Sequence, residues 1–107
     1  MLKKKDRADK KTMEKIFKEG RFINSPSLTF RFFRKSTGPK RISFIVPKTV
    51  VRLAVKRNLL RRLGYSALEG RIDRLPAGTL GIFVFRKYIK DVLIIKNEIE
   101  NILNKIN

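Results

Sequence analysis

The sequence predicts an α+β fold: a two-layer α/β sandwich with helices packed on a small sheet, in the order helix, strand, strand, helix, strand, helix. Three observations predict it. Residues 28–34 alternate between two faces with period two. Residues 80–85 form a continuous apolar run, short enough for a buried strand. Val92, Ile95, Ile99, Ile102 and Ile106 recur at helical spacing.

The elements follow in chain order. Residues 1–8 read as a flexible basic arm, and Asp9 is placed to cap a first helix. Met13, Ile16 and Phe17 lie on one face of that helix, and Gly20 is placed to end it in the left-handed conformation. In the first strand Leu28, Phe30 and Phe32 share one face, and Thr29, Arg31 and Phe33 the other. Ser36-Thr37-Gly38-Pro39-Lys40 is a turn by composition. Residues 41–46 return as a second strand, and so short a connection favours an antiparallel hairpin. Pro47 ends that strand, because proline has no N–H to donate. Residues 53–68 form the second helix, with Leu59, Leu63 and Ala67 as its apolar stripe and Gly70 closing it. Gly64 inside it costs about 1 kcal/mol relative to alanine. After the Pro76-Ala77-Gly78 turn comes the apolar strand, and Asp91 then caps the last helix. No linker or repeat divides residues 1–107, which read as one domain.

Charge narrows the function. The chain carries 27 Lys and Arg against 9 Asp and Glu, a formal charge of +18. Crowding that charge into a small fold is self-repulsive, and a polyanion relieves it with release of counterions. Nucleic acid is the partner this implies; nothing in the sequence points to a protein partner or to a membrane. The apolar runs fall far short of the roughly 20 residues of a membrane helix. The start has no apolar stretch of a secretory signal, so the expected location is the cytoplasm. There is no Cys and no His. That removes thiolate and imidazole ligands and the commonest general base. Residues 20–68 contain 12 Lys or Arg and no acid, so the binding surface belongs to the first two-thirds of the chain.

The densest information lies in Lys56-Arg57-Asn58-Leu59-Leu60-Arg61-Arg62. At about 100° per residue, Arg57, Arg61, Asn58 and Arg62 span about 140° of the helix, with Tyr65 among them. Leu59, Leu60, Leu63 and Ala67 fall on the other side. Arg forks pair bidentately with phosphate and stack on bases, and Asn supplies a donor and an acceptor. The plainer alternative is a solvated basic face.

The segment Arg41-Ile42-Ser43-Phe44-Ile45-Val46-Pro47-Lys48, followed by Ala54-Val55-Lys56-Arg57-Asn58-Leu59-Leu60-Arg61-Arg62, resembles the signature of the bacterial ribonuclease P protein family. Ile16-Phe17-Lys18 with Gly20, and Phe85-Arg86-Lys87, resemble its first helix and last strand. The resemblance implies a ribosomal protein S5 domain 2-like fold with a left-handed crossover. It implies an accessory subunit with no catalytic residue of its own. The partners would be ribonuclease P RNA, which cleaves with bound Mg2+, and precursor tRNA, from which the 5′ leader is removed. By the same resemblance Arg57, Asn58, Arg61 and Arg62 contact RNA, and Lys48 and Arg52 extend that patch. Phe17, Thr29, Arg31 and Met13 would line a cleft for the single-stranded leader. Phe17, like Phe30 and Phe32, also has plain core packing as an alternative. This chain departs from the family pattern in places: Arg52-Leu53 precede Ala54 where Gly is usual, the connection after Lys48 is one residue longer, and Tyr65 replaces a common Arg. Met13 and Arg31 stand at frequent aromatic positions. The competing function is a basic ribosomal or ribosome-assembly protein with no part in catalysis. A DNA-architectural protein lacks a helix-turn-helix or wedge arm here, and a stand-alone nuclease lacks a carboxylate cluster.

Overall fold

The computed structural model describes residues 10–35 and 37–106. The basic arm, the Asp9 cap and Ser36 of the predicted turn lie outside the described residues. The elements are α1 (Lys10–Glu19), β1 (Arg21–Asn24), β2 (Leu28–Arg34), β3 (Arg41–Ile45), α2 (Ala54–Leu68), a short 3-10 turn (Ile72–Arg74), β4 (Thr79–Phe85) and α3 (Val92–Ile106). The predicted α+β order is present, with one strand, β1, added after α1. β1 escaped the sequence reading because four residues with an outward Phe22 give no period-two pattern.

The sheet order is β1-β2-β4-β3. β4 is antiparallel to β2 and parallel to β3, so β2 and β3 are not the predicted hairpin. The physical reason lies in β4. Its residues are buried on both faces apart from a half-buried Val84, and such a strand needs a neighbour on each side. It enters between β2 and β3, and α2 becomes the crossover joining the parallel pair. The real hairpin is β1–β2, turning through Ser25, Pro26 and Ser27.

The strands alternate as the pleat requires. Leu28, Phe30, Ile42, Phe44, Phe83 and Phe85 build the main core with α2 and α3. Phe83 lies between Phe30 and Phe44, with ring centroids 4.3 and 4.9 Å away. On the other face Ile16 of α1 packs on Leu80 and Ile82. Gly20 ends α1, but not in the left-handed conformation, which belongs to Gly38, Gly70 and Gly78. It is needed because a Cβ there would lie 2.4 Å from the Ile16 carbonyl oxygen and 2.8 Å from that of Phe32. Gly70, at φ +83°, follows α2 as predicted.

The buried side of α2 differs from the sequence reading. It comprises Leu60, Gly64, Tyr65, Ala67 and Leu68, while Leu59 is 40% exposed. The helix is rotated by about a quarter turn from the apolar wheel. Gly64 causes this: having no side chain, it lets the Phe44 ring lie against the helix backbone. Tyr65 follows Gly64 inward, meets Phe44 edge-on at 4.9 Å and accepts the Phe44 N–H on its hydroxyl at 3.3 Å.

α3 buries Ile95, Ile99, Ile102 and Leu103 together with Glu98. Its first turn is capped by Asp91, whose Oδ1 accepts the Leu93 N–H at 2.9 Å. Asp91→Ala is expected to destabilise the protein by about 1 kcal/mol. A thermal melt is expected to show a midpoint lower by roughly 4–8 °C. Beyond the core, Arg74 and Arg71 bind the two oxygens of Glu100, each at 2.8 Å, and hold its carboxyl below the ordinary range. Among the described residues no helix is long and apolar enough to cross a membrane.

Candidate RNA-binding surface

The N-terminal half of α2 carries the predicted patch. Leu53 precedes the helix in extended conformation with no side-chain cap, and the first turn has no acid. Among the described residues no side chain caps its leading N–H groups, a favourable setting for an anion. Asn58 and Arg62 are exposed, whereas Arg57 and Arg61 are partly buried at the border of the packed side. Arg57 reaches back, its Nη1 donating to the carbonyls of Val51, at 3.0 Å, and Arg52. That ties the β3–α2 connection to the helix and fixes the guanidinium. Arg61 Nη2 donates to Asn58 Oδ1. Arg62 makes no hydrogen bond or ion pair with other described residues. Lys48 and Arg52 stand exposed on the connection that leads into α2, and the four other predicted residues follow within its first nine residues.

Two further residues join them. Tyr88 is 38% exposed, with Lys56 Nζ 5.7 Å and Lys90 Nζ 5.9 Å from its ring centroid. Val50, Val51, Arg52, Leu53, Lys56 and Tyr88 line an open hollow of about 230 Å³. The sequence signal was the Lys87-Tyr88-Ile89-Lys90 run, where a lone aromatic sits among cations.

The second predicted group lies on the face of the sheet that bears α1. Phe17 is 46% exposed, so it is not a core residue. The Arg31 guanidinium lies 5.2 Å from the Phe17 ring centroid and 5.7 Å from that of Phe22. Phe22, 59% exposed on β1, is opposite Arg31 in the strand register and was missed with its strand. Thr29 donates its hydroxyl to Asn24 Oδ1 at 2.7 Å. Met13 packs on the Ile16, Leu80 and Ile82 cluster, below the open surface. Phe30 is core, and Phe32 stacks on it at 5.3 Å. The result is an exposed aromatic and cationic cluster between α1 and the β1–β2 edge.

The α2 end does not fit a Mg2+ site of its own. Mg2+ takes oxygen ligands, usually with one or two carboxylates. Residues 20–68 supply no carboxylate, and Asn58 Oδ1 already accepts from Arg61. Among the described residues no three His, Cys, Asp or Glu come together as a metal site.

The ribonuclease P family model matches residues 2–107, and the chain belongs to that family. The fold matches the ribonuclease P protein of Thermotoga maritima with TM-score 0.81 at 20% identity, covering 94% of this chain and 97% of that one. It matches that of Staphylococcus aureus with TM-score 0.78 at 20% identity, covering 94% and 95%. A further S. aureus structure matches with TM-score 0.77 at 24% identity, covering 98% and 92%. No curated protein matches the sequence. Family membership supports a subunit role in tRNA 5′ processing, in partnership with ribonuclease P RNA.

Proposed function

We propose that this chain docks through the α2 end onto ribonuclease P RNA and holds the single-stranded 5′ leader of precursor tRNA on the α1/β1–β2 cluster. Hydrolysis is the work of the RNA subunit with its own Mg2+, in the cytoplasm, and the protein's part is binding. The observation that carries this reading is the build of the α2 end. Arg57 is fixed by two backbone carbonyls, so less ordering entropy is lost when RNA binds there. Arg57, Asn58, Arg61, Arg62, Lys48 and Arg52 form the docking contacts, with Lys56 and Tyr88 beside them. In the cluster Phe17 and Phe22 offer rings to unpaired bases and Arg31 offers its plane and charge, while Thr29 supplies a hydroxyl. Met13 supports the cluster from below. The cations also screen phosphate repulsion between two RNAs brought together.

Reconstitution tests the reading. Mixed with bacterial ribonuclease P RNA, the protein is expected to lower the Mg2+ concentration needed to cleave precursor tRNA. The complex is expected to bind leader-bearing precursor more tightly than mature tRNA. Absence of both effects with the RNA of the same organism leaves only a general RNA-binding role, as of a ribosome-assembly protein, and rejects the proposal.

A further inference from the structure

Glu98 lies in the apolar stripe of α3 and is 6% exposed. Among the described residues no Lys or Arg pairs with it. Its Oε1 instead accepts two hydrogen bonds from the β1–β2 turn: the Ser27 N–H at 2.7 Å and the Ser25 hydroxyl at 2.5 Å. The Ser25 hydroxyl has one proton and two acceptors in reach, Glu98 Oε1 and the Leu28 carbonyl at 3.1 Å, and the shorter contact, to the carboxylate, is the stronger. Arg86 grips the same turn from the end of β4, donating from Nη1 to the Ser25 carbonyl and from its N–H to the Ser27 carbonyl, at 2.9 and 2.8 Å. A buried carboxylate without a cation is expensive unless such donors satisfy it.

The turn matters because of what hangs from it. β1 is four residues long and, among the described residues, pairs with β2 alone. Its register sets Phe22 opposite Arg31 and Asn24 opposite Thr29. Those residues form the strand side of the cluster, and Glu98 acts on them from the opposite face of the sheet. We infer that Glu98 is a positioning residue for leader binding: it fixes the β1–β2 turn, and through it the Phe22–Arg31 pair. This rests on the cluster being the leader site.

The test uses the reconstituted ribonucleoprotein and the ratio of its affinities for leader-bearing precursor and mature tRNA. Glu98→Ala is expected to reduce that ratio about fivefold, the scale of a coupling carried through a neighbouring element. Affinity for ribonuclease P RNA, set at the α2 end, is expected to stay within about twofold. Glu98→Gln keeps an acceptor oxygen and is expected to restore the ratio to within about twofold of the original. Hydrogen exchange is expected to speed up at the β1–β2 amides in Glu98→Ala and not in α2. Where Glu98→Ala does not fold, Ser25→Ala serves, with a smaller loss of the same ratio. An unchanged ratio in the folded variant, a parallel fall in RNA-subunit affinity, or failure of Gln to rescue overturns the inference. Arg31→Ala and Phe22→Ala separate the two readings. If they leave the ratio unchanged, the cluster is not the leader site; if they lower it and Glu98→Ala does not, only the positioning role of Glu98 is lost.

Discussion

Arg57→Ala combined with Arg61→Ala is expected to weaken binding to ribonuclease P RNA by about 100-fold at moderate salt, because two charge-assisted hydrogen bonds to phosphate are removed. The log–log slope of affinity against salt is expected to fall by about 1.4 to 1.8, since each neutralised phosphate contributes about 0.7 on single strands and 0.9 on duplex. Filter binding over a salt series measures both. The two arginines are not equivalent. Arg57 also bonds to the Val51 and Arg52 carbonyls, so its removal loosens the β3–α2 connection as well as deleting a charge. Arg57→Lys separates these effects: it keeps the charge and hence the slope, but a point ammonium does not reproduce the planar fork, so affinity still falls. Arg62→Ala removes an exposed charge that makes no hydrogen bond or ion pair among the described residues, so its slope change is expected with no loss of thermal stability. Unchanged slope in the double variant places the RNA elsewhere.

The sequence revealed that surface unevenly, for reasons visible at particular residues. The α2 patch was legible because charge and the Arg-Asn spacing are local. The orientation of α2 was not, because the residue that sets it, Gly64, has no hydropathy to count. Leu59 therefore looked buried and Tyr65 exposed, and the structure reverses both. The β2–β3 hairpin was inferred from a short connection, but insertion of β4 between them is a non-local pairing that no turn encodes. Phe22 was lost with a four-residue strand whose partner, β2, lies across a turn. Glu98 left a faint trace. An acid three residues after Ile95, within the stripe that continues to Ile99 and Ile102, is out of place on a helix face that packs inward.

Gly64→Ala is the substitution on which helix propensity and packing disagree most. Propensity favours it, since alanine is better than glycine inside a helix by about 1 kcal/mol. Packing opposes it. A Cβ at Gly64 would lie 2.4, 2.6 and 2.9 Å from three carbons of the Phe44 ring. That ring has little room to retreat: it is 3% exposed, stacked on Phe83 with a 12° interplanar angle and met edge-on by Tyr65. Overpacking of this kind costs typically about 1–3 kcal/mol, and the rigid aromatic stack behind Phe44 places this case toward the upper end. The net expectation is destabilisation by about 1–2 kcal/mol, the overpacking less the helical gain. That corresponds to a melting midpoint lower by roughly 5–15 °C. Moving Phe44 also moves α2, which carries the Arg57–Arg62 surface over the β3 end. RNA affinity measured well below the melting range is therefore expected to fall as well, with its salt slope unchanged because no charge is lost. A companion variant, Phe44→Leu with Gly64→Ala, gives the Cβ space, and is expected to recover part of the affinity through the helix position while losing the aromatic stack. A Gly64→Ala protein that melts higher than the parent would mean that the helix is seated by Leu60, Ala67 and Leu68 alone, and that the glycine is not what sets the rotation of α2 and brings Arg57 and Arg61 to the border of its packed side.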